Sequence, residues 1–328
     1  MTSSIETARA MPKQAGRLPD FFVVGHSKSG TTALYEMLRS HPQIYMPMKE
    51  PWFFVPELHS RFRPAGGVRP DTLEEYLALF APADPDQRTG EASPSYLRSL
   101  TAAARIAEVQ PAARVVAILR EPASYLRSLH LQFVKTHVET ETDLRTALSL
   151  EGARRKGEHV PSSSPRPQGL LYSENLKYVE QLRRYRAVFP QEQILVLIYD
   201  DFRADNQATV REVLRFLEVD DAAPIEAVDA NPTVGIRHRR LHQAVHEVIQ
   251  ARDPFTRAVK GSIKTLTPRR ARRGALEVVR RRVVVGAPPP VDEELMLQLR
   301  VRFKGEVVAL SEYLDRDLVS LWGYDQLD

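Results

Sequence analysis

Residues 21–32 read Phe-Phe-Val-Val-Gly-His-Ser-Lys-Ser-Gly-Thr-Thr. Phe21 to Val24 form a continuous apolar run that stops at Gly25, and Thr31 to Ser40 then carry Leu34, Met37 and Leu38 at helical spacing. This is a strand, a tight turn and a helix. Such a turn aims backbone N–H groups and the positive end of a helix at one point, which suits a phosphate. The interval from Gly25 to Gly30 is that of a nucleoside-triphosphate loop, in which Lys and then Ser or Thr follow the second glycine to reach the terminal phosphates and hold Mg²⁺. Here Thr31 and Thr32 follow Gly30, and the loop's lysine, Lys28, lies inside the turn. ATP hydrolysis therefore fits poorly. A plain Gly/Ser connection is the bland reading, and the Lys-Ser-Gly-Thr-Thr run inside the turn argues against it.

The same pattern recurs further along the chain. Val115 to Leu119 form a second apolar run, followed by Arg120 and by Tyr125, Leu126, Leu129 and Phe133 at helical spacing. Ile194 to Ile198 form a third, between helix-like stretches at Glu174–Phe189 and Asp205–Leu217. Continuous apolar strands alternating with amphipathic helices predict an α/β fold, P-loop-like, with three α/β/α layers around a central parallel sheet. Residues 1–17 read as a disordered tail and 18–328 as a single domain, with a basic insertion at about 255–290 and a C-terminal helix at about 292–314. The stretch Val160–Gly169, rich in Pro and Ser, reads as a surface loop.

Composition narrows the classes. The 328 residues are 43% hydrophobic and 27% charged, which suits a globular protein. With no cysteine, disulfides, thiolate nucleophiles and Cys-bound zinc are excluded, and the nine histidines show no HExxH-like spacing, so no metal is expected. Lys plus Arg (46) exceeds Asp plus Glu (42), a net charge of +4 that decides little. No run approaches the roughly 18 apolar residues of a spanning helix. Met1 to Arg17 lack the apolar core of a secretory signal, so a cytoplasmic protein without a transmembrane segment is expected. The segment Lys260–Arg282 is strongly basic and reads first as a solvated cationic face, with an anionic acceptor, a membrane surface or an acidic carrier domain as other readings.

The segment FFVVGHSKSGTTALYEMLRSHPQIYMPMKEPWFF resembles the 5′-phosphosulfate loop and following helix of sulfotransferases that use 3′-phosphoadenosine 5′-phosphosulfate (PAPS). ILREPASYLRSLHLQF is similar to the second signature of that family, a strand ending in Arg followed by a helix with Ser. GEASPSYL and the stretch from Tyr172 to Val219 resemble later family segments, so the likeness spans roughly residues 20 to 218. The nearest types are the bacterial and glycosaminoglycan-type enzymes. The resemblance implies PAPS as cosubstrate, adenosine 3′,5′-bisphosphate (PAP) as product and an acceptor that is an alcohol or phenol of small-molecule, carbohydrate or lipid type.

Residue by residue, the resemblance makes Lys28 the cation that neutralises the departing phosphate. It gives Ser29, Gly30, Thr31 and Thr32 to the 5′-phosphate, although either threonine could instead cap the helix. Arg120 and Ser128 go to the 3′-phosphate, with a pairing of Arg120 to Glu121 or another acid and an ordinary helix serine as the alternatives. Glu50, in Lys49-Glu50-Pro51-Trp52-Phe53-Phe54, becomes the general base, with Pro51 and the aromatics as an apolar wall; a salt bridge is its other reading. His130 is a rival base or a structural histidine. Asn231 to Arg240, with Arg237, resemble a loop that closes over the nucleotide. The chain departs from the glycosaminoglycan-type pattern at Ala92, where a lysine usually follows the Glu that Glu91 resembles. The Lys-Thr-His stretch of cytosolic enzymes is absent. An atypical P-loop kinase using ATP and a non-catalytic anion- or nucleic-acid-binding protein are the competing functions; no nucleic-acid partner is expected, and the oligomeric state is open.

Overall fold

The apolar runs become the strands of one sheet. The computed structural model describes residues 16–55, 69–164, 167–226, 235–236, 285–286 and 288–327. Strands β1 (Phe21–Gly25), β2 (Ile44–Tyr45), β3 (Arg88–Ala92), β4 (Arg114–Leu119) and β5 (Ile194–Ile198) form a five-stranded sheet in the order β2-β3-β1-β4-β5, with every neighbouring pair parallel. Alternate residues of β1, β4 and β5 enter two different cores, which is why those three runs are apolar throughout rather than alternating. Phe21, Val23, Val116 and Ile118 pack with α1 (Thr31–Arg39), α8 (Tyr199–Ala204) and α9 (Asn206–Leu217). Phe22, Val24, Val115, Ala117 and Leu119 pack with α3 (Ala102–Val109), α4 (Pro122–Lys135), α7 (Tyr178–Arg186) and α10 (Glu293–Leu314). The expected three-layer α/β/α architecture is therefore present.

Shorter helices complete the second layer: α2 (Leu73–Ala78), α5 (Leu144–Ser149), α6 (Glu151–Arg155) and α11 (Leu318–Leu321). A two-residue pair, β6 (Gly235–Ile236) with β7 (Val285–Gly286), is antiparallel.

The strand order locates the site. The chain leaves β1 toward β2 and β3 on one side, returns, and crosses β1 to build β4 and β5 on the other. The connections that follow β1 and β4 thus diverge from adjacent strand ends, and such a switch point opens the crevice where α/β sheets bind ligands. Gly25 pairs with Ala117, and the His26 N–H donates to the Ile118 carbonyl at 2.7 Å, so residues 26–32 and Arg120 emerge side by side.

Several boundaries differ from the sequence reading. The Glu174–Phe189 stretch is a 3₁₀ turn at Tyr172–Leu176 followed by α7 from Tyr178, because the Asn175 side-chain amide donates to the Leu171 carbonyl at 3.1 Å and competes with a regular helix. Asp205 lies outside α9 and caps it, accepting from the Ala208 N–H at 2.9 Å. Asp292 caps α10 in the same way, and that helix otherwise fills its expected span. Within the expected loop, Pro167–Leu170 forms a 3₁₀ turn. Arg17 belongs to the fold rather than to the tail, donating to the Asp84 carbonyl at 2.8 Å. Residues 1–15, Arg237 and almost all of the basic insertion lie outside the described residues. No helix among the described residues is long and apolar enough to cross a membrane.

Candidate active site

The turn after β1 rests on a neutral histidine. His26 is fully buried, its Nε2–H donates to Gln181 Oε1 at 2.8 Å, and its ring packs edge-on against Tyr125 at 4.8 Å. Burial pushes its pKa down to about 4, so it carries no charge near neutrality. Above it the backbone takes two left-handed residues, Lys28 at φ 65° and Gly30 at φ 84°. Only glycine fits position 30 well, since a β-carbon there would meet Phe202 at 3.0 Å and Tyr199 at 3.1 Å. For Lys28 the same conformation costs on the order of 1–3 kcal/mol, a strain of the kind that gathers at ligand sites. Gly30 is also the N-cap of α1 and offers no side-chain cap, which leaves the first-turn N–H groups for an anion. Thr31 is buried and Thr32 half-buried in that turn.

Cations converge on this turn. Lys28 Nζ donates to Gln132 Oε1 at 3.4 Å. Its pKa is lowered by burial first, then by the charges of Lys135, Arg120 and Lys49. Arg120 Nη1 donates to the Lys28 carbonyl at 3.0 Å and its guanidinium lies 4.8 Å over the Tyr199 ring, while its own carbonyl accepts from Tyr178 Oη at 2.9 Å. The alternative pairing with Glu121 does not form. That carboxylate caps α4 through the Ala123 and Ser124 N–H groups at 2.9 and 2.7 Å and accepts from Tyr324 Oη at 2.6 Å. Two buried hydroxyls, those of Ser29 and Ser128, have no hydrogen-bond partner among the described residues. Crowded cations and orphaned buried donors are each unfavourable alone, and an anion between them satisfies both. The residues present therefore fit a phosphate-bearing ligand.

Glu50 stands on the loop after β2, at φ 63°, with its N–H donating to the Ala92 carbonyl at 3.0 Å. Its Oε1 lies 2.8 Å from Lys49 Nζ, and its side chain is 38% exposed. The aromatics expected to wall it pack elsewhere. Phe54 meets Phe22, Tyr76 and Tyr96 edge-on, and Phe53 stacks on Tyr76 at 4.5 Å. The carboxyl inside that aromatic shell is Glu91, because residue 91 faces inward on β3 whereas the left-handed turn at residue 50 carries its side chain outward. Trp52, also left-handed at φ 55°, lies under the Arg69 guanidinium at 4.9 Å.

His130 belongs to a structural network. Its Nδ1 shares a hydrogen bond with Tyr172 Oη and its Nε2 one with the Thr142 carbonyl, each at 3.1 Å, and burial lowers its pKa. Tyr172 Oη in turn donates to Glu139, which is paired bidentately and fully buried with Arg154 at 2.7 and 2.9 Å.

Residues 19–223 match the model of a sulfotransferase family, more than half the chain. The chain belongs to the sulfotransferase family. Among curated relatives, it is 28% identical over 201 residues to heparan sulfate glucosamine 3-O-sulfotransferase 3A1 of Mus musculus, covering 61% of this chain and 46% of that protein. It is 28% identical over 211 residues to bifunctional heparan sulfate N-deacetylase/N-sulfotransferase 3 of Homo sapiens, covering 63% and 23%. The chain thus spans less than half the length of these relatives. A crystal structure of a sulfotransferase from Alicyclobacillus acidocaldarius superposes with a TM-score of 0.63 at 23% identity, covering 93% of this chain and 99% of that one, and shares the fold.

The structure also brings Gln132, Lys135 and Tyr199 to this turn, three residues the sequence did not single out. The first two were legible in principle, since Ser128, Gln132 and Lys135 follow one another at helical steps of four and three and so share a face of α4. Tyr199 reaches the turn only through the tertiary approach of α8.

Proposed function

We propose that the protein transfers a sulfuryl group from PAPS to a hydroxyl of an acceptor and releases PAP. The observation that carries this reading is the convergence of Lys28, Lys49, Lys135 and Arg120 beside the orphaned hydroxyls of Ser29 and Ser128. The nucleotide, when bound, supplies the activated sulfuryl group. Ser29, Gly30, Thr31 and Thr32 hold the 5′-phosphate at the start of α1, while Arg120, as a planar fork, and Ser128 hold the 3′-phosphate. Arg237 is a further proposed nucleotide contact. The Lys28 ammonium neutralises charge that grows on the phosphate side of the breaking S–O bond. Glu50 takes the proton of the attacking hydroxyl, steadied by Lys49 at 2.8 Å. A carbohydrate hydroxyl, the acceptor type in the name of the 3-O-sulfotransferase relative, is the first acceptor to test.

PAP without Mg²⁺ should raise the melting temperature, by the equivalent of about 2.7 kcal/mol at a hundredfold excess over Kd. Stabilisation by Mg·ATP alone would instead support a kinase. Incubation with ³⁵S-labelled PAPS and a panel of carbohydrate, phenolic and lipid alcohols then reads transfer directly.

Ser128→Ala should act in opposite directions on the two states. It removes a buried hydroxyl without a partner, so the ligand-free protein melts at the same temperature or higher, while PAP binding loses about 1 kcal/mol. Calorimetric titration beside a thermal melt checks both signs, and unchanged PAP affinity would remove Ser128 from the nucleotide site.

A further inference from the structure

We infer that Glu91 is a positioning residue for this reaction, holding through Tyr76, Tyr96 and Ser93 the conformation in which residues 50–54 present Glu50. The inference rests on the proposed role of Glu50 as base.

Glu91 is 1% exposed, and its Oε2 accepts from Tyr76 Oη at 2.6 Å and from Tyr96 Oη at 3.2 Å. The Ser93 hydroxyl adjoins the same carboxyl. Each of these partners continues into the 50–54 segment. The Phe54 N–H donates to Tyr96 Oη and the Trp52 N–H to Ser93 Oγ, both at 3.3 Å, and Phe53 stacks on Tyr76. The segment contains two left-handed non-glycine residues, Glu50 and Trp52, so it depends on outside tethers for its shape. An apolar side chain would be cheaper to bury at position 91. The carboxylate adds direction: it claims the hydroxyl hydrogens of Tyr76 and Tyr96, which leaves the Tyr96 oxygen lone pairs turned to the Phe54 N–H.

The strength of these bonds depends on charge, because a carboxylate accepts more strongly than a neutral carboxyl. Burial pushes the Glu91 pKa up to about 7. The titratable groups facing it are hydroxyls: Tyr76 from α2, Tyr96 from the turn after β3 and Tyr185 from α7. All three have pKa values raised by burial, so they stay neutral while Glu91 ionises. The charged groups on the segment or against it are Lys49, Glu50 and Arg69. Since the folded pKa lies above the usual carboxyl value of 4.5, the stability that Glu91 contributes is complete below about pH 4.5 and is lost as pH rises through 7.

The chain contains two tryptophans, so 5-fluorotryptophan labelling of the full protein gives two ¹⁹F resonances, and the one lost in Trp52→Phe belongs to the segment. That resonance is expected to shift with a midpoint near pH 7, and Glu91→Gln to abolish the step while PAP-induced thermal stabilisation persists. Tyr96→Phe, which cuts the link to Phe54, is expected to diminish the step and carries the test if Glu91→Gln does not fold. A flat wild-type titration, or an unchanged step in both variants, overturns the inference. Glu50→Gln separates the two readings: transfer surviving it ends the role of Glu50 as base while leaving the Trp52 step in place.

Discussion

Replacing Lys28 with alanine should lower the maximal rate of sulfuryl transfer by about a hundredfold or more, the ~3 kcal/mol typical of a single removed electrostatic stabiliser. Alanine keeps the β-carbon at φ 65°, so the turn retains its strain and the change isolates the ammonium. PAP, which lacks the sulfuryl group, should lose less affinity than turnover loses rate. The ligand-free protein should respond in the opposite direction. The pKa of Lys28 is lowered by burial and then by Lys135, Arg120 and Lys49, so near neutral pH the folded state carries this ammonium at a cost. Its stability contribution improves as pH climbs toward the ordinary lysine range. Lys28→Ala therefore melts at the same temperature or higher than wild type, and the difference shrinks in salt as the four cations are screened. Rate assays at saturating PAPS, with melts at low and high ionic strength, check both directions. A variant that keeps its rate ends the proposed role of Lys28.

The parts of this site that were legible in the sequence are those fixed by local chain geometry. A strand buried on both faces needs an unbroken apolar run, so Phe21–Val24 and Val115–Leu119 stood out as strands. Lys28, in the turn beyond the first, and Arg120, at the end of the second, then had to lie at the carboxyl edge of the sheet. The adjacency of those two ends needed only the strand order. The parts that were not legible depend on which way a side chain faces after the chain has returned from elsewhere. The sequence Glu-Pro-Trp-Phe-Phe invites the aromatics to wall Glu50, yet the left-handed backbone at residues 50 and 52 divides them, and Phe53 and Phe54 enclose Glu91 with Tyr76 and Tyr96. His130 sits two residues from Ser128 on α4, and a step of two turns it to another side of the helix, where Tyr172 and Thr142 occupy both ring nitrogens. No spacing rule anticipates the pairing of Arg154 with Glu139, which lies fifteen residues away on the other side of α5.

Glu50→Gln should reduce transfer at least as much as Lys28→Ala, by roughly 10²–10⁴-fold, since the acceptor hydroxyl then has no group to receive its proton. Glutamine preserves size and still presents an oxygen to Lys49 Nζ, and the backbone N–H at residue 50 keeps its bond to the Ala92 carbonyl, so the loop retains its anchors. The proposed nucleotide contacts follow β1 and β4 rather than lying at residue 50, and PAP affinity should stay within about twofold of wild type, a difference under 0.5 kcal/mol. The comparison with His130→Gln decides between the two candidate bases. Both ring nitrogens of His130 are engaged inside the protein, so that variant should lose stability without a selective loss of rate. If Glu50→Gln keeps its rate while folded His130→Gln loses it, the base is the histidine. If Glu50→Gln loses PAP binding together with turnover, Glu50 serves as scaffold for the nucleotide site and the proton must leave by another route.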